Sequence, residues 1–166
     1  RFDKVILATH ADESLALLAD PTADERAALG AWRYNSNHVV LHTDRALMPP
    51  LKRVWAAWNY YRPQQSALTS PVAITYYMNK LQRLPTETDF FVSLNQKEAI
   101  NPRAIRFEVA YTHPVYDRNS VASQSRIKAL NGANHTHFCG AYLGYGFHED
   151  GVAAALDAVR SLGGSL

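Results

Sequence analysis

The sequence predicts an α+β fold, in which a mainly antiparallel sheet of about five strands with helices accompanies a parallel strand pair and a C-terminal helix. Two observations predict it. Short apolar runs at 3–9 and 136–141 are bounded by polar residues or glycine, as buried parallel strands are. Between them, short segments rich in aromatic and β-branched residues are separated by prolines, which favours antiparallel strands. We therefore expect a parallel βα piece at each end of the chain and an antiparallel sheet between them.

Two short helices are predicted after the first strand. A helical stretch spans 12–19, where leucines recur three residues apart. A second helix spans roughly 23–31, because Thr22 and Glu25 form a capping box at its start. Both helices are therefore expected to precede the sheet.

The middle of the chain is predicted to form the antiparallel sheet. Its strands are expected at 37–43, 54–60, 71–80, 88–94 and 105–112. In the last strand, one face is formed by Ile105, Phe107, Val109 and Tyr111. The other face of that strand is formed by Arg106, Glu108 and Ala110. Such alternation is typical of an antiparallel sheet with one face in water.

The C-terminal part is predicted to alternate helix and strand. A polar helix at about 118–130 closes at Asn131 and Gly132. The strand that follows leads into a glycine-bearing turn at 144–151, and a helix at 152–162 completes the pattern.

Composition and charge exclude several classes of protein. The net charge is only +2 and the basic residues are scattered, so no nucleic-acid partner is expected. No apolar run approaches the roughly 20 residues of a membrane span. The single cysteine, Cys139, cannot form an internal disulfide, which fits a reducing cytoplasm, and we expect it to be a buried core residue.

Metal and hydrolase sites are not indicated either. His135 and His137 would share one face of a strand, but no third ligand stands at a convincing spacing, so no metal is predicted. The chain also lacks the Gly-x-Ser-x-Gly elbow of many serine hydrolases.

The segment from His137 to Gly151 combines the features of a ligand-binding turn. The predicted strand ends near Cys139, and closely spaced glycines then let the backbone pass close to a bulky planar ligand. A helix is predicted to begin near Gly151, so that its unpaired N–H groups point toward whatever lies over the turn. Such a helix start attracts an anion or an electron-rich oxygen.

Motifs at both ends of the chain resemble the flavin-containing amine oxidase and desaturase superfamily. Phe138-Cys139-Gly140 resembles the family's strand end Phe-Ala-Gly, and 148–153 (His-Glu-Asp-Gly-Val-Ala) resembles its Gly-Tyr-x-Glu-Gly-Ala helix start. Near the N-terminus, 2–9 (Phe-Asp-Lys-Val-Ile-Leu-Ala-Thr) resembles the family's Asp-x-Val-Ile-x-Ala-Thr strand. The sequence is especially similar to bacterial proteins described as NAD/FAD-binding amine oxidoreductases.

The resemblance implies the C-terminal part of an FAD-dependent oxidoreductase. In this interpretation 1–31 is a strand of the FAD domain with its following helices, and 32–132 is a substrate-binding domain. The remaining segment, 133–166, is the C-terminal FAD-binding strand-turn-helix. Because the chain starts inside a predicted strand, we expect the N-terminal FAD-binding segment of the same protein to be its missing partner.

The resemblance also implies site residues, although it assigns no catalytic residue. Those expected to contact FAD are Ala8, Thr9, Gly140, Ala141, Tyr142, Gly146, His148, Glu149, Asp150, Gly151 and Val152. Those expected to contact a small-molecule substrate are Tyr76, Tyr145 and His38.

Three departures from the family pattern bear on activity. Ala141 stands where many relatives have an acidic residue, so a phosphate contact must come from backbone groups. No lysine occurs where amine oxidases often have one, and His38 is the nearest ionisable group. The Gly-x-Gly-x-x-Gly fingerprint for the adenosine half is also absent. We therefore expect these residues alone to bind FAD weakly or not at all and to be inactive.

The expected activity of the full-length protein is oxidation of a C–N or C–C bond in a largely apolar substrate by hydride transfer to FAD. A different class stays open, namely a non-catalytic ligand- or protein-binding α+β module that presents an aromatic groove. Apolar surface left exposed around 3–9 and the final helix could also pair two copies into a homodimer.

Overall fold

The computed structural model describes residues 2–62 and 73–164, which form seven strands and five α-helices. In chain order these are β1 (Val5–Leu7), α1 (Ala11–Leu17), α2 (Ala23–Leu29), β2 (Arg33–His42), β3 (Trp58–Tyr61), β4 (Ala73–Tyr77), α3 (Met78–Gln82), β5 (Phe91–Leu94), β6 (Ile105–Val115), α4 (Arg118–Leu130), β7 (Thr136–Phe138) and α5 (His148–Ser161). No helix in these ranges is both long enough and apolar enough to cross a bilayer.

The chain divides into two compact units. One unit comprises Arg1–Asn35 with Pro114–Leu166, and the other comprises Ser36–His113. We call them the terminal unit and the central unit. The segment that carries α4 lies in the terminal unit.

A parallel strand pair lies in the terminal unit, as the sequence predicted. Strands β1 and β7 pair over three positions, from Val5 opposite Thr136 to Leu7 opposite Phe138. The Cys139 N–H extends the ladder by donating to the Leu7 carbonyl at 3.0 Å. Two β1 side chains, Val5 and Ile6, are each 43% exposed, so the strand is not buried by the described part of its own unit.

Helices α1, α2, α4 and α5 supply most of the core of the terminal unit. Phe138 from β7 is fully buried with Leu29 from α2 and Ile127 from α4. Cys139 lies in the same cluster, as expected of a core cysteine, and burial raises the pKa of its thiol. Ala154 and Ala158 provide the buried surface of α5, where small side chains let the helix approach closely.

Capping residues explain where two of the helices begin. The predicted capping box of α2 is present, because Glu25 N–H donates to Thr22 Oγ1 at 3.2 Å and Thr22 N–H donates to Glu25 Oε2 at 2.7 Å. Helix α4 has the predicted bounds and begins after Asp117, whose Oδ1 accepts from the N–H groups of Asn119 and Ser120 at 2.9 Å each.

The central unit contains the five-stranded, mainly antiparallel sheet that the sequence predicted. Its strand order is β3-β4-β5-β2-β6. Strand β4 pairs antiparallel with β3 and with β5, and β5 pairs antiparallel with β2. The α+β fold class is therefore confirmed.

The structure moves the bounds of several predicted elements, and three of these differences have an identifiable local cause. Strand 54–60 is shorter than expected, because Lys52–Val54 forms a 3₁₀ turn and β3 starts at Trp58. In the predicted strand 71–80, positions 71–72 lie outside the described residues and β4 gives way to α3 at Met78. The sequence from Met78 to Gln82 contains no β-branched residue, which favours helix over strand. The Phe90 N–H donates to Asn79 Oδ1 at 2.8 Å, and this hydrogen bond fixes the turn back into β5.

The third difference concerns the last helix, which begins at His148 rather than at about 152. Phe147 is its N-cap residue, and the Phe147 N–H donates to Asp150 Oδ2 at 2.9 Å. The acidic residue three positions into the helix therefore fixes the start one turn earlier than the glycine suggested.

Candidate functional sites

Strand register in the central unit places aromatic and branched residues on one face of the sheet. Directly paired residues in antiparallel strands share a face. Two such rows cross four strands: Trp58, Tyr76, Val92 and Leu41, and beside them Tyr60, Ile74, Leu94 and Val39. We call this surface the apolar face.

A groove of about 490 Å³ runs over the β5-β2-β6 part of the apolar face. Its lining residues are Val39, Leu41, Met78, Gln82, Leu84, Phe90, Val92, Phe107, Val109 and Tyr111. Only Gln82 and the Tyr111 hydroxyl contribute polar side-chain groups to it. The volume is within the range of small-molecule sites, and such sites are mostly apolar with few polar groups.

Exposure of the apolar face distinguishes it from an ordinary packed sheet. Trp58 and Tyr60 are each 61% exposed, and Phe107 is 58% exposed. Large contiguous apolar patches on proteins mark binding surfaces or interfaces. This face is therefore the candidate ligand-binding surface of the central unit.

The opposite face of the same sheet is covered, although it carries polar residues. Met48 and Trp55, from the segment between β2 and β3, pack on Phe91 and Tyr77. This segment covers the side that bears His42 over β4 and β5 and leaves the apolar side open, whereas Arg106 and Glu108 on the His42 side of β6 are exposed.

Buried hydroxyl and imidazole groups on the covered face satisfy one another. The Asp44 N–H donates to His42 Nδ1 at 3.2 Å, so the proton of the neutral ring is on Nε2, which donates to Ser93 Oγ at 2.8 Å. Ser93 Oγ lies 2.8 Å from Thr75 Oγ1, which also accepts from Gln96 at 3.2 Å. The sequence alone does not reveal this hydrogen-bond network, because its members are far apart along the polypeptide.

Of the predicted substrate residues, Tyr76 and His38 lie on different faces of the sheet. Tyr76 is half-buried on the apolar face. His38 is two residues before Val40, on the covered side, and its Nε2 lies 3.5 Å from Glu108 Oε2. Lys97 binds the same carboxylate at 2.8 Å, and its hydrogen bond lowers the pKa of Glu108. His38 is thus part of a surface ion-pair group rather than of the apolar face.

In the terminal unit, the predicted flavin turn lies at the carboxyl ends of the two parallel strands. Thr9 follows β1 and its Oγ1 lies 2.9 Å from Ser14 Oγ in α1. Gly140 follows β7, and a Cβ there would lie 3.5 Å from the Thr9 carbonyl oxygen. The structure thus brings two predicted site residues together, at the strand end where open parallel sheets bind ligands.

Most glycines of this turn are required by the turn itself. A Cβ at Gly140 would lie 2.7 Å from the Tyr142 ring, and one at Gly146 would lie 2.8 Å from the Tyr116 hydroxyl. A Cβ at Gly144 would overlap the Asp150 carboxylate. Close packing within the chain explains these three positions without any ligand.

Gly151 behaves differently. It lies inside α5 and its N–H donates to the Phe147 carbonyl at 3.3 Å, so this N–H is not free for a ligand as the predicted helix start implied. A Cβ at this position would meet Ala141 atoms at 3.8 and 3.9 Å, which is ordinary contact. Glycine in a helix costs about 0.5–1 kcal/mol relative to alanine. Packing among the described residues therefore gives no reason for a glycine at position 151.

The N-terminus of α5 still presents backbone donors. His148 and Glu149 occupy its first two positions, ahead of the first residue that can donate within the helix. Phe147 and Tyr145 beside it are exposed, Tyr145 by 83%, and Val152 is exposed at the start of the second turn. A helix start flanked by bare aromatic side chains is the part of the terminal unit best suited to a planar ligand.

Two contacts that sequence analysis missed hold this turn in place. The Gln124 side-chain amide of α4 donates to the carbonyls of Tyr142 at 2.9 Å and Gly144 at 2.7 Å. The Tyr142 ring packs edge-on against Trp32 at 5.5 Å, and both side chains are buried. The Tyr142 hydroxyl and Trp32 Nε1 find no hydrogen-bond partner among the described residues. Burial raises the pKa of Tyr142 well above its ordinary range.

No group of three or more histidine, cysteine or acidic residues in the described ranges is arranged to hold a metal ion. His137 lies in β7 with its Nδ1 3.1 Å from Ser161 Oγ, whereas His135 precedes the strand.

Comparison with known proteins found no matching family model and no matching curated protein.

Proposed function

We propose that this chain is the C-terminal part of an FAD-dependent oxidoreductase, with a flavin-holding turn in the terminal unit and a substrate-binding surface in the central unit. The observation that carries the proposal is Gly151. A helix-interior glycine that neither backbone strain nor packing among the described residues requires is expected where a ligand approaches the backbone closely.

The strand ends supply the rest of the argument for the cofactor. Thr9, Gly140 and Ala141 lie at the carboxyl ends of a parallel strand pair, where open parallel sheets bind ligands. His148 and Glu149 offer helix N-terminal N–H groups to an electron-rich oxygen. These residues fit the isoalloxazine and ribityl parts of a flavin, which when bound supplies hydride acceptance.

Exposed apolar surface supports the expectation of a further segment. A parallel sheet is normally covered on both faces, whereas Val5 and Ile6 of β1 are exposed. An N-terminal FAD-binding segment of the same protein, joining this sheet, would cover them and supply the adenosine half of the site. Pairing of two copies through this surface is the competing arrangement, and a cytoplasmic location fits the free buried Cys139.

The apolar face of the central unit favours a largely apolar substrate, such as a lipid or an amine with an apolar body. Its groove is lined by branched and aromatic side chains, with Gln82 and the Tyr111 hydroxyl as polar groups that could orient one end of the molecule. The proposed reaction is oxidation of a C–N or C–C bond. A bound apolar substrate would displace water from this lining, and Tyr76 on the same face extends the aromatic surface.

The proposal is tested with the full-length protein and two substitutions in α5. Wild-type protein should purify yellow, with flavin close to stoichiometric. Gly151→Val should weaken FAD retention about tenfold or more without loss of the fold, because a branched side chain there would keep the flavin away from the free N–H groups of His148 and Glu149. Ala155→Val, at an exposed position one turn further along the helix, is the matched control and should retain flavin.

A different class, a non-catalytic binding module, is favoured by one observation, the open aromatic surface that Trp58 and Tyr60 form. Full-length protein that is colourless, takes up no added FAD, and yet binds an apolar fluorescent probe would support the module and refute the flavoenzyme. Equal flavin affinity of Gly151→Val and wild type would show that this turn is misassigned.

A further inference from the structure

Three arginines surround a second groove, which lies in the terminal unit between α2 and α4. Its volume is about 760 Å³, larger than that of the groove on the apolar face. Arg26 comes from α2, Arg126 from α4 and Arg33 from the start of β2, so three separate elements bring guanidinium groups to one depression.

Small side chains form the floor of this arginine groove. Its remaining lining residues are Ala27, Gly30, Ala31, Asp117, Asn119, Ala122 and Ser123. Ala27 lies on α2, and Gly30 and Ala31 directly follow that helix, whereas Ala122 and Arg126 lie four residues apart on one face of α4. Ser123 is buried and its hydroxyl already donates to the Ser120 carbonyl at 2.8 Å. The floor is therefore formed by small side chains, and polar groups surround it.

Carboxylates within the groove do not balance its positive charge. Asp117 is the only acidic residue in the lining, against three arginines. Its Oδ2 accepts from Arg33 at 3.0 Å, while its Oδ1 caps α4. Asp24 lies 3.8 Å from Arg126, at the outer limit of an ion pair, and Arg26 has no carboxylate within 4 Å among the described residues. The Asp117 contact holds one guanidinium in place and leaves most of its donors available.

We propose that the arginine groove binds a small phosphate monoester with a flat apolar body. Guanidinium groups match phosphate oxygens in geometry and form stronger hydrogen bonds to them than lysine does. The alanine and glycine floor gives a planar body room to lie against the two helices. This site is separate from the residues assigned to flavin and substrate above.

Binding is tested by titration calorimetry with phenyl phosphate, a probe that shares no part with flavin. The protein should bind it saturably with a Kd below about 1 mM. Inorganic phosphate should bind more weakly and phenol not measurably. Arg126→Gln and Arg26→Gln should each weaken phenyl phosphate binding about tenfold, as loss of a charge-assisted hydrogen bond predicts.

Two further variants separate a built site from general charge. Arg106→Gln removes an exposed arginine from β6 in the central unit and should leave binding unchanged. Ala122→Glu keeps all three arginines, adds a carboxylate to the floor and should abolish binding. Arginine Nε–H chemical shifts in NMR spectra should move for Arg26, Arg33 and Arg126 on titration.

Several outcomes would overturn this assignment. They are no saturable binding by the wild type, equal weakening in Arg106→Gln, or capture of an acidic peptide without any affinity for phenyl phosphate. Flavin retention measured in the same full-length variants should stay at the wild-type level, so failure here is distinguishable from failure of the flavoenzyme proposal.

Discussion

The Nε2 of His42 on β2 lies 2.8 Å from the Oγ of Ser93 on β5, and both side chains are fully buried on the covered face of the central sheet. A third group fixes the protonation state of the ring, because the Asp44 N–H points at Nδ1. Burial lowers the pKa of His42 below its ordinary value of 6.5. The folded protein therefore holds this imidazole neutral at a pH where an unfolded chain begins to protonate it.

That relationship predicts how stability depends on pH. Because the folded pKa of His42 is below the unfolded one, the unfolded state binds more protons as the pH falls through 6.5. This contribution to stability should be fully present above pH 6.5 and should be lost as the pH falls from 6.5 toward the lower pKa of the folded protein. Urea denaturation of wild type and His42→Gln over this range measures the effect. The variant should show a shallower decline, and identical slopes for the two proteins would refute the assignment.

The buried carboxylate of Asp89 provides a second prediction. Its burial opposes ionisation, but the Tyr77 hydroxyl at 2.6 Å and the charges of Lys52 and Arg45 outweigh that, so the pKa of Asp89 is lowered. The Lys52 and Arg45 side chains are about 60% exposed, so both charges stay hydrated when Asp89→Asn removes the carboxylate. We expect a loss of about 1–3 kcal/mol in the free energy of unfolding.

Lys52→Met is the control for the Asp89 group. It removes one exposed partner and leaves the Tyr77 and Arg45 contacts, so it should cost less than about 1 kcal/mol. Denaturant titration of both variants gives the comparison. A cost for Lys52→Met equal to that for Asp89→Asn would mean that the lysine, not the carboxylate, organises this cluster.

Two glycines of the flavin turn should respond oppositely to alanine. Gly140→Ala places a Cβ 2.7 Å from the Tyr142 ring, and overpacking of this kind should cost about 1–3 kcal/mol. Gly151→Ala meets only ordinary contacts and removes a flexible residue from a helix, so it should stabilise the protein by up to about 1 kcal/mol. Thermal unfolding without flavin distinguishes the two, and destabilisation by Gly151→Ala would mean that the helix packs more tightly there than these contacts indicate.

Neighbouring residues of β2 test which face of the central sheet is covered. Val40 is fully buried on the covered face, and Val40→Ala should cost about 2 kcal/mol. Leu41 is half-buried on the apolar face, so Leu41→Ala should cost clearly less although it removes more atoms. Urea denaturation measures both. The reverse order would show that the apolar face is packed in solution.

Local sequence determined the elements whose signals are local. The capping box of Thr22 and Glu25 placed α2, and the polar pattern with its closing glycine placed the bounds of α4. Apolar runs at the two ends predicted the parallel pair of β1 and β7, and the aromatic segments between predicted the antiparallel sheet. These features depend on hydrogen bonds and side-chain periods within a few residues, which can be recognised from the order of residues alone.

Tertiary structure decided which surfaces are open. Alternation along β6 showed that the sheet has two unlike faces, but only the packing of Met48 and Trp55 determined that the face bearing His42 is the covered one. Of the predicted substrate residues in the central unit, that packing leaves Tyr76 on the open face and His38 on the other.

The same limit applies to the start of α5 and to the arginine groove. In the sequence, the glycine at 151 suggested a helix start. In the structure, the Asp150 carboxylate accepts a hydrogen bond from the Phe147 N–H, and the helix starts at His148. Arg26, Arg33 and Arg126 meet only because α2 packs beside α4, across about 100 residues of chain. Contacts between segments so distant along the chain depend on how the elements pack, and periodicity within one element carries no information about them.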